Sequence, residues 1–159
     1  MFTTNVLPDP YDFGPPPKNL AGNGRYNSAG KPVLYLASTV AGVAAELERH
    51  RQNGMLLFYQ SLSIDLQSLY IADLAADSMP FFQIIFDYSE LERDPEKYFK
   101  SQVLAELISQ AGFDGFLAPG VRGSKNKLYK NLVLFDPESQ WRKWIDTSNL
   151  PKLIELPNL

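Results

Sequence analysis

The stretch GRYNSAGKPVLYLASTVAGVAAELERH, residues 24–50, decides the fold because it predicts a strand followed directly by a helix. Its apolar run KPVLYLA is typical of a buried strand, which we place at Val33–Ala37. Ser38 or Thr39 can then cap a helix. Apolar residues recur in that helix at helical spacing, namely Val40, Val43, Ala44 and Leu47. The stretch therefore predicts one strand–helix unit, which is ended by a turn at residues 53–54.

Further strand patterns and one long helix pattern follow along the chain. Asp94-Pro95 predicts a helix start, and Gly112 predicts the end of the same helix. The apolar residues expected on its buried face are Val103, Leu104, Leu107, Ile108 and Ala111. The strand candidates are MLLFYQSLS (55–63), QSLYIADLA (67–75), MPFFQIIFDY (79–88), DGFLA (114–118) and NLVLF (131–135). The tail 139–156, which carries both tryptophans, is expected to pack back on the core.

Composition indicates one ordinary globular domain. The 159 residues are 45% hydrophobic and 21% charged, which is enough to build a single buried core. The chain shows no internal repeat and no low-complexity block. We therefore predict a single α+β domain over residues 1–159, with the proline- and glycine-rich segment 1–24 lying across it as an extended strap.

The residue inventory excludes several classes of site. The chain has no cysteine, which removes disulfides and thiolate ligands, and its one histidine, His50, cannot form a multi-histidine metal site. A formal net charge of −3 gives no bulk reason to expect nucleic acid binding. Because there is neither a signal-like start nor an apolar run of about 20 residues, we expect a cytoplasmic protein with no membrane segment.

Three side chains of the opening stretch could act together: Arg25 in a glycine-rich loop, Tyr35 in the strand and Glu46 on the helix. Each has an ordinary structural explanation, as a carbonyl-bonded arginine, a core tyrosine and a paired glutamate at the margin of an apolar face. The functional interpretation is a guanidinium that binds phosphate or carboxylate at Arg25, and at Tyr35 a ring that stacks on a ligand base with its hydroxyl free to bond. Taken singly, these residues indicate no more than a soluble α+β domain.

In combination the motifs resemble the RES-domain family, which is named for an arginine, a glutamate and a serine. FGPPPKNLAGNGRYNSAGKPVLYLA (13–37) has the family's proline cluster, then Gly-Arg-aromatic-Asn, then Tyr-Leu-Ala, and AAELE (44–48) holds Glu46 at the expected distance. KSQVLAELISQAGFDGFLAPGVRG (100–123) resembles the family's Ser-Gln helix, and KNLVLFDP (130–137) resembles its closing strand. The order and spacing of these motifs, over nearly the whole chain, carry the resemblance.

The resemblance implies a fold similar to ADP-ribosyltransferases, with a mixed β core and flanking helices. It also implies a bacterial toxin that consumes NAD by breaking the bond between nicotinamide and ribose. The acceptor can be water, phosphate or a protein side chain, so hydrolysis, phosphorolysis and ADP-ribosyl transfer all stay open. The implied partner is an antitoxin of the Xre type. NAD is the substrate, no metal is expected, homo-oligomers are left open, and neither nucleic acid nor a membrane is a partner.

Roles for individual residues follow from the same resemblance. Arg25, Tyr35 and Glu46 are the expected catalytic residues. Arg25 would hold the pyrophosphate, and Tyr35 would either stack on or hydrogen bond to the ribose end next to nicotinamide. Glu46 would place negative charge or a hydrogen bond near the ribose as positive charge develops there. Tyr26 and Asn27 are expected to contact NAD beside them.

Gly120 is the one departure from the family pattern, because it aligns with the family serine. The loss of one hydroxyl contact would cost about 1–3 kcal/mol. Ser124, or backbone N–H groups around Gly120 and Gly123, could take its place. The alternative interpretation is a catalytically degenerate RES-like module that binds NAD or a protein without cleaving anything. A plain interaction domain with no dinucleotide site is a third interpretation, and it requires the spacing match to be coincidental.

The basic loop at 122–130 and the pair Ser101 and Gln102 could also act at the site. The loop RGSKNKLYK (122–130) is basic, and its cations are Arg122, Lys125, Lys127 and Lys130. A solvated surface hairpin is the ordinary explanation, and contact with an acidic antitoxin surface or with the phosphates of NAD is the functional one. Ser101 and Gln102 are interpreted as structural residues that can also reach the site.

Overall fold

Two α-helices, seven strands and one short 3-10 turn form the regular structure of the part of the chain that the computed structural model describes, residues 2–5, 18, 21–47, 58–75, 98–120, 129–136, 143–145 and 154–155. In chain order they are β1 Phe2–Asn5, β2 Val33–Ala37, α1 Val40–Leu47, β3 Phe58–Ser61, the 3-10 turn Leu66–Ser68, β4 Ile71–Asp73, α2 Phe99–Gln110, β5 Gly115–Pro119, β6 Lys130–Phe135 and β7 Ile154–Glu155.

All seven strands lie in one mixed sheet, in the order β4-β5-β6-β2-β1-β3-β7. Every neighbouring pair is antiparallel except β4 and β5, which are parallel. The inner strand β6, between β5 and β2, is covered on both faces, since Leu132, Val133 and Leu134 are all 0% exposed. A continuous apolar run is what such a strand requires. Together with the two helices, this sheet confirms the predicted α+β class.

The two faces of the sheet carry separate parts of the core. Side chains alternate between faces along a strand, so Tyr35 shares its face of β2 with Val33 and Ala37. Val33 packs in a cluster with α2, and Ala37 packs in a second cluster with α1. Both helices therefore cover the face that carries Tyr35. The opposite face packs against apolar residues from outside the strands, including Leu62, Ile64, Trp144 and Ile145.

The strand–helix unit has the predicted form. β2 has the predicted bounds, and α1 follows it directly. The Thr39 hydroxyl accepts a hydrogen bond from the Gly42 N–H at 3.0 Å, which is the expected cap of the first turn. α2 ends where Gly112 takes a positive φ of 88°, a conformation that side chains other than glycine rarely adopt. In the tail, Ile145 is buried in the core, as predicted.

The predicted buried face of α2 is wrong in part. Val103 and Leu107 are 40% and 57% exposed, whereas Ser101, Ala105 and Ile108 are buried. The helix is rotated toward its small residues because Ser101 hydrogen bonds to the backbone of the Arg25 loop. Apolar spacing alone did not reveal that a polar contact fixes the rotation.

Several predictions fall outside the described residues. They are the turn at 53–54, the strand at 79–88, the helix start at Asp94-Pro95, His50, Ser124, and most of the strap and of the basic loop. β1 at Phe2–Asn5 lies within the segment assigned to the strap, and the sequence pattern did not predict that it forms a strand between β2 and β3.

Candidate functional site

Arg25 and Tyr26 lie at the tip of a tight turn that two backbone hydrogen bonds close. The Gly24 N–H donates to the Asn27 carbonyl at 2.8 Å, and the Asn27 N–H donates back to the Gly24 carbonyl at 3.4 Å. A Cβ on residue 24 would stand 2.8 Å from the Tyr35 hydroxyl, so glycine leaves the room that this turn needs. Both tip residues are buried, Arg25 with 9% and Tyr26 with 2% of its surface exposed.

Two side chains of helix α2, distant in sequence, hydrogen bond to the backbone of this turn. The Ser101 hydroxyl donates to the Arg25 carbonyl. The Gln102 side-chain amide donates to the carbonyls of Gly24 and Asn27 at 2.8 and 3.0 Å. Ser101 and Gln102 therefore donate to three backbone carbonyl groups of the turn. Buried carbonyl groups without hydrogen-bond partners would cost free energy. The role of the pair is to position Arg25, which is the structural role expected from the sequence.

The Tyr35 hydroxyl is committed to the same turn. It donates to Asn27 Oδ1 at 2.7 Å and accepts from the Tyr26 N–H at 3.0 Å. Burial raises the pKa of Tyr35 well above its ordinary range, and burial also raises the pKa of Tyr26 to about 12. Both phenols therefore stay protonated at neutral pH. The Tyr35 residue is still 36% exposed, so its ring rather than its hydroxyl is available to a ligand.

Removing the Tyr35 hydroxyl should loosen the turn. We expect Tyr35→Phe to lower the free energy of unfolding by about 1–3 kcal/mol, because the Asn27 side chain and the Tyr26 N–H both lose a partner. Chemical denaturation measures this value. Tyr70→Phe is the matched control, since Tyr70 is 76% exposed and its loss should change stability by less than about 0.5 kcal/mol. Equal stability of both variants would contradict the network.

Glu46 accepts hydrogen bonds from three side chains, two of them at the start of β6 and one in the turn. Its Oε1 accepts from the Tyr129 hydroxyl at 2.7 Å and from the Asn131 side-chain amide at 2.9 Å. Arg25 Nη1 lies 3.5 Å from the same oxygen and forms an ion pair with it. Glu46 is half-buried on α1, and these donors fix the direction of its carboxylate. A carboxylate fixed in this way is preorganised to face a developing positive charge.

Arg25 is held charged in a buried place. Burial is the largest single effect and lowers the pKa of its guanidinium, but the Glu46 carboxylate, Tyr26 and Tyr98 together raise it by more, so the net pKa lies above the ordinary value. Among the described residues, Arg25 Nε and the Tyr26 hydroxyl are buried without a hydrogen-bond partner. An unpaired buried donor is costly. These two adjacent side chains are therefore the polar groups that a ligand could satisfy.

A cavity of about 520 Å³ lies beside the turn, on the side of α2. Tyr26 and Asn27 line it, together with Lys18, Ser28, Ala29, Gly30, Lys31, Pro32, Val33, Gln102, Ala105, Glu106, Ser109 and Phe135. Its size is within the range of pockets that hold small ligands. Lys31 and Glu106 form an ion pair at its wall, and this hydrogen bond lowers the pKa of Glu106. Neither Arg25 nor Glu46 is among the residues that line this cavity.

Five of the predicted site residues are brought together by this arrangement. Arg25 pairs with Glu46, while Tyr26, Asn27 and Tyr35 form one hydrogen-bonded unit with the turn. Gly120 lies at the end of β5, where its N–H donates to the Tyr129 carbonyl at 2.7 Å. No group of three or more potential metal ligands is found within the described ranges. Likewise, none of the helices that the structure describes is long and apolar enough to cross a membrane.

Tyr129 and Asn131 also contact Glu46, and the sequence pattern did not predict them as site residues. Tyr129 directly precedes β6 and packs in the cluster of α1, while Asn131 lies on β6 opposite Ala37 of β2. Ala37 lies on the face of the sheet that carries Tyr35 and is covered by α1. A polar residue at the start of an apolar strand was the available signal, but only the pairing of β6 with β2 shows that it meets Glu46.

The comparisons with known proteins identify the family. The model of the RES domain matches residues 5–150 of the chain. The fold is similar to a chain in the crystal structure of the M. tuberculosis MbcT-MbcA toxin-antitoxin complex, with a TM-score of 0.68 and 16% identity over 98% of this chain and 82% of that chain. A search of the curated proteins found no match. The chain is an α+β protein with a mixed sheet, and it belongs to the RES domain family.

Proposed function

We propose that the protein is an NAD-consuming toxin that cleaves the bond between nicotinamide and ribose and is neutralised by a cognate antitoxin. The observation that carries the proposal is the Glu46 carboxylate, which Tyr129, Asn131 and Arg25 hold in one direction on the side of the sheet that carries Tyr35. Membership of the RES domain family and a fold similar to a chain of a toxin–antitoxin complex support it.

Glu46 carries the chemical step in this proposal. When the nicotinamide–ribose bond breaks, the positive charge of the nicotinamide ring shifts onto the ribose, and a fixed carboxylate beside the ribose stabilises that charge more in the transition state than in the ground state. The donors on Oε1 orient the carboxylate before the substrate arrives, so little reorganisation is needed. Nicotinamide leaves with the bonding electron pair, and water, phosphate or a protein side chain takes its place on the ribose.

Arg25 binds the pyrophosphate in this proposal. The guanidinium of Arg25 has five N–H donors. Its Nη1 forms a long ion pair with Glu46, and its Nε is buried without a hydrogen-bond partner. A phosphate oxygen would satisfy the buried donor by a charge-assisted hydrogen bond. Because Tyr26 follows Arg25 at the tip of the turn, a ligand that reaches both would extend from the Glu46 side toward the cavity beside α2.

Tyr35 contacts the ligand through its ring. The hydroxyl already donates to Asn27 and accepts from the Tyr26 N–H. Stacking on a flat ring needs no hydroxyl, and the half-exposed ring of Tyr35 lies on the sheet face that carries the site. Of the two contacts expected for Tyr35, stacking and hydrogen bonding, we therefore assign stacking.

The proposal is tested by nicotinamide release from NAD. Purified protein is expected to release nicotinamide, and a comparison with and without phosphate identifies whether phosphate is the acceptor. Expression in a bacterial host should arrest growth, and co-expression of a candidate Xre-type antitoxin should restore it. A protein that releases no nicotinamide under either condition would overturn the enzymatic proposal.

Gly120 supports a second candidate, a module that binds NAD without cleaving it, because the family serine is missing at this position. The two candidates differ in a simple measurement. If NAD raises the midpoint of thermal unfolding while no nicotinamide is released, the chain is a binding module. If release occurs, the missing serine is dispensable for turnover.

A further inference from the structure

The Tyr129 ring fills a narrow space between α1 and the end of β5. It is 5% exposed and belongs to the cluster of buried residues that joins α1 to the sheet. A Cβ on Gly42 of α1 would stand 2.6 Å from this ring. A Cβ on Gly120 would stand within 3.0 Å of three of its atoms. The ring is therefore held between two residues that have no side chain, and either side chain would collide with it.

The hydroxyl of the same tyrosine reaches the carboxylate of the site. It donates to Glu46 Oε1 at 2.7 Å, compared with 2.9 Å from the Asn131 amide and 3.5 Å from Arg25 Nη1. A hydrogen bond to an ionised acceptor is stronger than one between neutral groups. The residue thus spans the distance from the backbone at position 120 to the Glu46 carboxylate.

We propose that Tyr129 supplies the hydroxyl that position 120 does not carry, and that Gly42 and Gly120 lack side chains because the Tyr129 ring needs their space. Tyr129 is then a positioning residue, which acts by directing the Glu46 carboxylate. Its role in turnover rests on the proposed function, whereas the steric part does not. A serine introduced at position 120 would compete with the tyrosine for one place, so it would harm this chain instead of repairing it.

The steric part is tested by a double-mutant cycle in thermal unfolding. Gly120→Ser is expected to lower the unfolding midpoint by about 5 °C, because overpacking displaces a buried ring. Gly120→Ser combined with Tyr129→Ala should unfold at a higher temperature than the sum of the two single losses gives, since the collision is gone. Gly22→Ser is the matched control, because a Cβ at that exposed position meets nothing within 4 Å. Additive losses, or a Gly120→Ser midpoint equal to that of the control, would overturn the proposal.

The positioning part is tested by kinetics. Tyr129→Phe keeps the ring and should lower kcat for nicotinamide release about tenfold with KM nearly unchanged, because the hydroxyl acts on Glu46 and does not hold NAD. Gly120→Ser should recover at least part of the activity that Tyr129→Ala loses, whereas it should lower activity when Tyr129 is present. An unchanged kcat in Tyr129→Phe would refute the positioning role.

The two experiments distinguish a failure of the proposed function from a failure of this inference. The unfolding cycle does not depend on turnover, so it tests the packing of Tyr129 against Gly120 even if the protein is inactive. If the unmodified protein releases no nicotinamide, the proposed function fails together with the positioning role that rests on it. If the unmodified protein is active and Tyr129→Phe is equally active, only the positioning role fails.

Discussion

Glu46→Gln should reduce nicotinamide release from NAD at least about 100-fold, since it removes the negative charge that stabilises the cation developing on the ribose. The amide keeps an oxygen that can accept from Tyr129 and Asn131, so the side chain should stay in place. The loss should therefore appear in kcat and not in folding. Initial rates measured beside circular dichroism spectra of the same preparations separate the two effects.

Asp65→Asn is the matched control for this experiment. It also converts a carboxylate to an amide, but Asp65 is exposed and caps the 3-10 turn Leu66–Ser68, and its neighbour Ile64 packs on the face of the sheet opposite to α1. Its turnover should equal that of the unmodified protein. The assignment of Glu46 would be refuted if Glu46→Gln retained more than about a tenth of the activity, since that leaves less than 1.4 kcal/mol for the carboxylate.

Arg25→Lys is expected to raise KM for NAD about tenfold or more, with a smaller change in kcat. Lysine keeps the positive charge but has no planar fork, so it cannot donate to Glu46 and to a phosphate oxygen together. Arg25→Ala should be worse, because it also leaves the Glu46 carboxylate without its cationic neighbour. Steady-state kinetics over a range of NAD concentrations separate KM from kcat.

A competition experiment sharpens the test of Arg25. If the guanidinium binds the pyrophosphate, ADP-ribose should inhibit the unmodified protein and should inhibit Arg25→Lys more weakly. Nicotinamide riboside lacks the pyrophosphate, so its turnover should be equally low in both. A substitution that lowered kcat and left KM and inhibition by ADP-ribose unchanged would instead place Arg25 at the reacting bond.

The strand–helix unit at residues 33–47 could be predicted because its signals are local. The apolar run of β2, the cap at Thr39 and the helical spacing of α1 all lie within a few residues of one another. The positions of Arg25, Tyr35 and Glu46 on successive elements followed from the same stretch. Local spacing was therefore sufficient to predict which elements carry these three side chains.

The remaining features could not be read from local spacing because distant pairing decides them. The rotation of α2 depends on Ser101 and Gln102, which bond to a turn about 76 residues earlier in the chain. Asn131 meets Glu46 only because β6 pairs with β2. At Gly120 the sequence showed a missing hydroxyl, whereas the structure shows that the Tyr129 ring occupies the space beside it. The missing hydroxyl at position 120 was visible in the sequence, whereas the position of the Tyr129 ring beside it was not.

The sequence separation within the site has a consequence for synthesis of the chain. Glu46 accepts hydrogen bonds from residues 83 and 85 positions later, so these two bonds form only after β6 has been made and has paired with β2. At about 5–20 residues per second, translation needs several seconds to cover that distance, and the ribosome covers the last residues made for longer still. A nascent or truncated chain that ends before Tyr129 lacks both donors. These contacts on the carboxylate are therefore completed only after both residues have been synthesised and have left the ribosome.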